Sequence, residues 1–205
     1  MSVPKISADR IVEVRPGLYH WSIADDRLDG FRSDAWAVAT EVGAVLIDPL
    51  PVAEPALGAL GAIAAICLTA SSHQRAAWNL RRLLGVAVWA PAGTGAVLEE
   101  RSDREYRERD VLPGGLRAYS APGPRGEHHA LLATVPDGRR VLFVGDLVLT
   151  DGDGLRLLPR EHLAIPELAP ASVLRLAGLA ADIVAPAHGE PVTERAMEAL
   201  RRARW

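Results

Sequence analysis

The sequence holds one cysteine in 205 residues. A lone thiol excludes an intramolecular disulfide and a cysteine-rich zinc site. Cys67 sits in the apolar run Ala64-Ala65-Ile66-Cys67-Leu68, where a small buried core residue is the expected role. No apolar stretch is long and uninterrupted enough to span a bilayer. Residues 1–7 lack the apolar core of a signal peptide, so cytoplasmic residence is expected. There is no large excess of either charge. The 23 Lys and Arg against 26 Asp and Glu give a formal net charge of −3, which implies no general attraction to nucleic acid or to an anionic membrane. Short fixed-period repeats, low-complexity segments and linkers are also missing. A single domain over residues 1–205 is expected, with a small molecule as partner.

What is present reads as α/β. Residues 11–14, 18–21, 35–40 and 44–48 are short β-rich runs punctuated by Pro16-Gly17, Gly43 and Pro49, which suggests antiparallel hairpins. Residues 54–64 read as a helix, 65–69 as a strand, 76–84 as a helix and 86–90 as a strand, an order that implies parallel pairing. The charged run 99–105 reads as an exposed helix end or loop. Strands are expected again at 116–120, 130–135 and 141–144, with Asp137-Gly138 turning the last pair. Helix 171–180, strand 183–185 and a closing helix 193–204 complete the reading, with Thr193 as N-cap and Met197 and Leu200 on its buried face.

The informative features are polar residues at the ends of apolar strands. Asp48 ends 45–47, Thr69 ends 66–68, Asp146 follows 142–145, and His188 follows 183–187 and precedes Gly189. Polar side chains at the ends of buried strands converge on one sheet edge, where sites commonly form. Taken singly, Asp48 and Asp146 suit loops held through backbone N–H groups, and His188-Gly189 suits a turn. Taken together, they suit one pocket.

The ordered series Leu46-Ile47-Asp48, Leu68-Thr69, Phe143-Val144-Gly145-Asp146 and Pro186-Ala187-His188-Gly189 resembles the metallo-β-lactamase superfamily over nearly the whole chain. The resemblance implies a four-layer αββα sandwich with these strand ends at one edge. It also implies hydrolytic chemistry. In that family the strand matching the one that ends at Thr69 leads into His-x-His-x-Asp-His and then Gly-Gly-Asn. A further histidine follows a Pro-Gly pair, the aspartate of Gly-Asp bridges two zinc ions, and a last histidine completes the second site. Zinc lowers the pKa of bound water to about 7 and polarises an ester, lactam, thioester or phosphodiester.

The sequence departs from that pattern at the ligand positions. Asn79 fixes the register, and Ala70, Ser72, Gln74 and Arg75 then stand at four of them, with Pro124 at a fifth after Pro122-Gly123. Asp146 and His188 remain, fewer than the usual three protein ligands of a catalytic zinc. A cation at Arg75 would repel a metal beside it. His73 is expected as a locally bonded turn or surface histidine. His128 and His129 open a strand, so one should face in and the other out. Arg75, read as first-turn residue of the helix ending near Leu84, is expected to replace the metal charge by pairing with Asp146.

The pocket candidates are therefore Asp48, Thr69, Ser72, His73, Arg75, His128, Asp146 and His188. The favoured expectation is a hydrolase-like protein without the standard dinuclear zinc centre, binding a small molecule or serving as an interaction module. The alternative is an active hydrolase of an ester or thioester, with one zinc or other divalent metal held by Asp146, His188 and His73. A metal-free triad lacks support, because the adjacent Ser71, Ser72 and His73 do not make one.

Overall fold

The computed structural model describes residues 3–152 and 154–205. A seven-stranded sheet runs in spatial order β1 (Val12–Arg15), β2 (Leu18–Asp25), β3 (Phe31–Thr40), β4 (Gly43–Ile47), β5 (Ile63–Cys67), β6 (Ala87–Pro91) and β7 (Arg104–Tyr106). A four-stranded sheet has the order β13 (Ile183–Pro186), β10 (Arg140–Gly145), β9 (His129–Thr134) and β8 (Arg117–Ser120). A ribbon of β11 (Val148–Asp151) and β12 (Gly154–Leu157) stands apart from both. The hairpin-linked strands β1 to β4 pair antiparallel, and the strands reached through helices, β4 to β6, pair parallel.

Side-chain alternation sorts the strands into layers. Val45 and Ile47 of β4, with Trp36 and Val38 of β3, point between the sheets and meet Leu131, Val141 and Phe143 of the second sheet. Their neighbours Ala35, Ala37, Ala44 and Leu46 point outward, under Leu57 of α1 (Glu54–Leu57) and Trp78 and Leu80 of α2 (Ala77–Leu84). Leu142 and Val144 point outward from the second sheet, under Val173 and Leu176 of α3 (Ala169–Leu176) and Leu200 of α4 (Ala196–Arg202). The three apolar clusters separate four layers, αββα. Both faces of each sheet are covered, which is why the central strands read as continuous apolar runs. Trp36 also links the sheets through its indole N–H, which donates to the Pro186 carbonyl at 2.9 Å.

Several expectations are corrected in detail. The helix expected over 54–64 closes after α1 into a 3-10 turn, Gly58–Leu60, because Gly58 and Gly61 interrupt it. Thr193 does not cap α4. Arg195 is its N-cap residue, with left-handed φ of 49° and no side-chain capping bond. Arg104 and Glu105, read as helix end or loop, lie in the edge strand β7. No helix among the described residues is long and apolar enough to cross a membrane.

Phe143 is 1% exposed between the sheets and packs 6.2 Å from the Trp36 ring. Phe143→Ala is expected to cost about 3–5 kcal/mol of unfolding free energy. Urea denaturation followed by far-UV circular dichroism measures it, and a loss below about 1 kcal/mol would show that this core collapses around the deletion.

Candidate functional site

The strand ends carrying Asp48, Thr69, Asp146 and His188 meet at one edge of the sandwich, and His73 joins them. Asp48 adopts a left-handed φ of 48°, a conformation that aspartate tolerates. Its carboxylate accepts the Thr69 backbone N–H at 2.7 Å and the Thr69 hydroxyl at 2.6 Å. The loop-holding role open to Asp48 from sequence is thus filled, but the same carboxylate also reaches His73. Nδ1 of His73 lies 2.8 Å from Asp48 Oδ2, and Nε2 lies 2.9 Å from Asp146 Oδ2. The ring is buried, 3% exposed, rather than on a turn surface.

Both nitrogens of His73 face carboxylates, which favours the doubly protonated imidazolium. Burial opposes that charge, but Asp146 and Asp48 outweigh it and raise the His73 pKa from 6.5 to about 9. Burial likewise opposes ionisation of Asp146, yet the His73 charge and the contacts with His188 and His73 hold it well below 3.8. Asp48 is lowered against burial by the same ring.

Arg75 is not in the first turn of a helix. It lies between the 3-10 turn Ser71–His73 and α2, with φ of 32° and 3% exposure. Its NH1 donates to the Asp34 carbonyl at 2.8 Å and the Asp48 carbonyl at 3.2 Å. The expected direct pair with Asp146 is not formed: Arg75 turns to these two carbonyls, and His73 meets Asp146 at Oδ2 instead. Two buried cations, His73 and Arg75, therefore share the site with two acidic groups, Asp48 and Asp146.

His188 is fixed from both ring nitrogens. Nδ1 donates to the Arg32 carbonyl at 2.6 Å, and Nε2 stands 3.2 Å from Asp146 Oδ1. That second contact is an ion-pair distance without hydrogen-bond alignment. Asp146 Oδ1 and His128 Nε2 are accordingly the buried side-chain polar atoms without a hydrogen-bond partner among the described residues. His128 turns Nδ1 to the Ala121 carbonyl at 2.9 Å. Burial and the His73 charge lower its pKa to about 4, so it is neutral and Nε2 carries a lone pair. That atom sits over Gly145, where an added Cβ would come within 2.4 Å of it. His128 and His129 were expected on opposite sides, one in and one out. Both are buried, because both faces of their sheet are covered.

A second polar group was missed in the sequence. Asp34, fully buried on β3, accepts His20 Nε2 at 2.6 Å, Arg32 Nε at 2.8 Å and the Gly189 N–H at 2.7 Å. Its backbone N–H donates to the Ala187 carbonyl at 2.8 Å. The available signal was a carboxylate directly before the apolar run Ala35 to Ala39.

At the positions expected from the resemblance to match zinc ligands, Ala70 and Pro124 are buried and carry no donor side chain. Ser72 is half-buried on the 3-10 turn. Gln74 Oε1 accepts the Trp78 indole N–H and the Glu99 backbone N–H, both at 2.8 Å. Among the described residues no group of three or more His, Cys, Asp or Glu is arranged to hold a metal ion.

The sequence profile described as the metallo-β-lactamase superfamily matches residues 12–191. No curated protein matches the chain significantly in sequence. Among solved structures, the DIM-1 metallo-β-lactamase exposed to ceftazidime superposes with a TM-score of 0.73 at 18% identity, covering 96% of each chain. The metallo-β-lactamase from Pontibacter korlensis gives 0.72 at 19% identity, covering 94% of this chain and 96% of that one. The class B3 di-zinc metallo-β-lactamase LRA-12 from an Alaskan soil metagenome gives 0.66 at 13%, covering 92% and 84%. At such identities the structural likeness speaks for the fold.

The raised pKa of His73 sets a pH dependence. A group whose folded pKa exceeds its unfolded value of 6.5 contributes its full stabilisation below 6.5 and loses it as pH rises through about 9. Asp146 has the opposite sign and loses its contribution only in acid, below 3.8. Unfolding free energy is therefore expected to fall by roughly 3 kcal/mol from neutral to alkaline pH. Urea titrations across this range measure it. His73→Gln should flatten the slope, and a flat profile in the unaltered chain would mean a neutral ring.

Proposed function

Because the chain belongs to the metallo-β-lactamase superfamily, we propose that it is a hydrolase-fold protein whose own ion network stands where that family holds its dinuclear zinc centre. It binds a small molecule rather than nucleic acid or a membrane, on one domain spanning residues 1–205, in a cytoplasmic setting. The observation that carries this reading is the His73 ring, held between Asp48 at 2.8 Å and Asp146 at 2.9 Å.

The donor chemistry supports it. A histidine ligand must be neutral with a free lone pair, and a carboxylate ligand needs a free face. His73 instead presents a proton to each of two carboxylates. Arg75 adds a second positive charge that would repel a dication. Ala70 and Pro124 offer no donor, and Gln74 is engaged by Trp78 and Glu99. Asp146 and His188 alone do not fit a dinuclear centre. With the metal replaced by an imidazolium, no bound water is activated as a nucleophile, and the protein is left with recognition rather than turnover.

One observation favours a second reading. His128 Nε2 and Asp146 Oδ1 are acceptors with no partner. A single divalent metal, zinc or another, at a rearranged site including Asp146 and His188 would occupy such atoms and could support ester or thioester hydrolysis.

Metal analysis of protein purified without chelator, with a panel of ester and thioester substrates, separates the two. The expected outcome is zinc well below stoichiometric, and no turnover above background. Close to two tightly bound equivalents would overturn the proposal. One equivalent with turnover, both lost in His188→Ala and in Asp146→Ala, would establish the second reading.

A further inference from the structure

The ribbon of β11 and β12, the segment after it and Trp205 wall a cleft of about 530 Å³ that also includes Phe31. Small-molecule sites commonly run from about 300 to 1,000 Å³. None of Asp48, His73, Arg75, Asp146 and His188 lines it. It is a separate cavity, although Phe31 also packs against the His188 ring at a tilt, with centroids 5.5 Å apart.

Its chemistry is specific. Phe31 is 52% exposed and Trp205 39% exposed, so two aromatic rings are left partly uncovered by the chain. Trp205 is nonetheless fixed, its indole N–H donating to the Leu158 carbonyl at 3.2 Å. The preceding residue is held too, by Leu157 N–H on the Arg204 carbonyl at 3.0 Å. The Arg160 guanidinium lies 3.7 Å over the Trp205 ring. Arg156 is neutralised by Asp151 at 2.6 Å, whereas Arg160 has no carboxylate at ion-pair distance among the described residues. A guanidinium stacked on an indole has committed its face, and its in-plane N–H donors remain suited to a planar anion. Glu161 also lines the cleft but is exposed, whereas the Arg160 guanidinium is fixed on the wall, outside any ion pair among the described residues. A preformed aromatic wall carrying one such guanidinium fits a ligand that joins a flat apolar body to an anion.

We propose that this cleft binds a small molecule carrying a flat apolar body and a carboxylate or phosphate. The body packs on Phe31 and the uncovered part of Trp205, and the anion meets the Arg160 edge. The proposal requires nothing of the polar cluster, so metal analysis and ligand binding fail independently.

Isothermal titration calorimetry on the full chain tests it, with 2-naphthoate and 2-naphthyl phosphate as probes and uncharged 2-naphthol as control. The expected result is saturable one-site binding of at least one anion, clearly tighter than the naphthol. The preferred anion distinguishes a carboxylate ligand from a phosphate. Arg160→Gln, which removes the charge and keeps the wall, should weaken binding about tenfold. Trp205→Ala should weaken it similarly, and the arginine variant keeps the test decisive where the tryptophan variant misfolds. Two results overturn the proposal: neither anion saturating at millimolar concentration, or an affinity that Arg160→Gln leaves unchanged.

Discussion

A carboxylate buried among apolar strands costs several kcal/mol unless a cation or a set of donors meets it. Asp48 and Asp146 end strands of different sheets, and each needs such a partner at the same edge. The imidazole of His73 meets both at once, at 2.8 and 2.9 Å. That bridge determines much of what surrounds it. It keeps His128 neutral, because a second cation beside it is unfavourable. It leaves Arg75 to satisfy carbonyl oxygens instead of a carboxylate. It also holds the His73 ring of the 3-10 turn Ser71–His73 in the interior, while Ser71 and Ser72 stay half-buried.

A two-charge bridge of this kind is poor evidence of net stabilisation, since apolar residues of similar volume often do as well. Its firm consequence is asymmetry. Removing one partner leaves the others buried and unmatched, and the loss then exceeds anything the bridge contributed. Asp34 works in the same way on the neighbouring side. It ties β3 to the turn after β13 through Gly189 N–H and its own N–H, while its carbonyl holds Arg75. The two carboxylate systems share Arg75, so the polar edge behaves as one connected network rather than as separate pairs.

The strands were legible because short apolar runs bounded by glycine and proline mark them. Ala44 to Ile47 are all apolar, so inner and outer faces emerge only in the structure, and the four layers were expected from the resemblance. The strand ends at Asp48, Thr69, Asp146 and His188 were legible for a related reason: each is the first polar residue after an apolar run. His73 was not, because nothing local distinguishes a turn histidine in solvent from one pulled inward by carboxylates distant in sequence. Arg75 was placed on a helix by apolar spacing, yet its left-handed φ depends on the tertiary carbonyls it reaches. The ribbon β11 and β12 was missed because its strands are short and half-exposed, with little periodicity to read.

The turn at His188-Gly189 shows how these parts are joined. The His188 ring is oriented from one side by the Arg32 carbonyl, and it presents its other nitrogen to Asp146. The His188 carbonyl accepts the Thr150 N–H at 3.0 Å, and Thr150 lines the cleft. Gly189 has φ of 100°, and a Cβ there would come within 2.8 Å of Thr150. The turn is thus pressed directly against β11, with no side chain between. Its ring belongs to the polar cluster and its backbone to the cleft wall. A displacement of β11 large enough to alter the cleft must break the Thr150 bond or carry the turn with it. Carrying the turn would change the 3.2 Å approach of His188 to Asp146 Oδ1, an atom with no hydrogen-bond partner among the described residues. The His188–Asp146 approach therefore lies on the path that connects the network to the cleft.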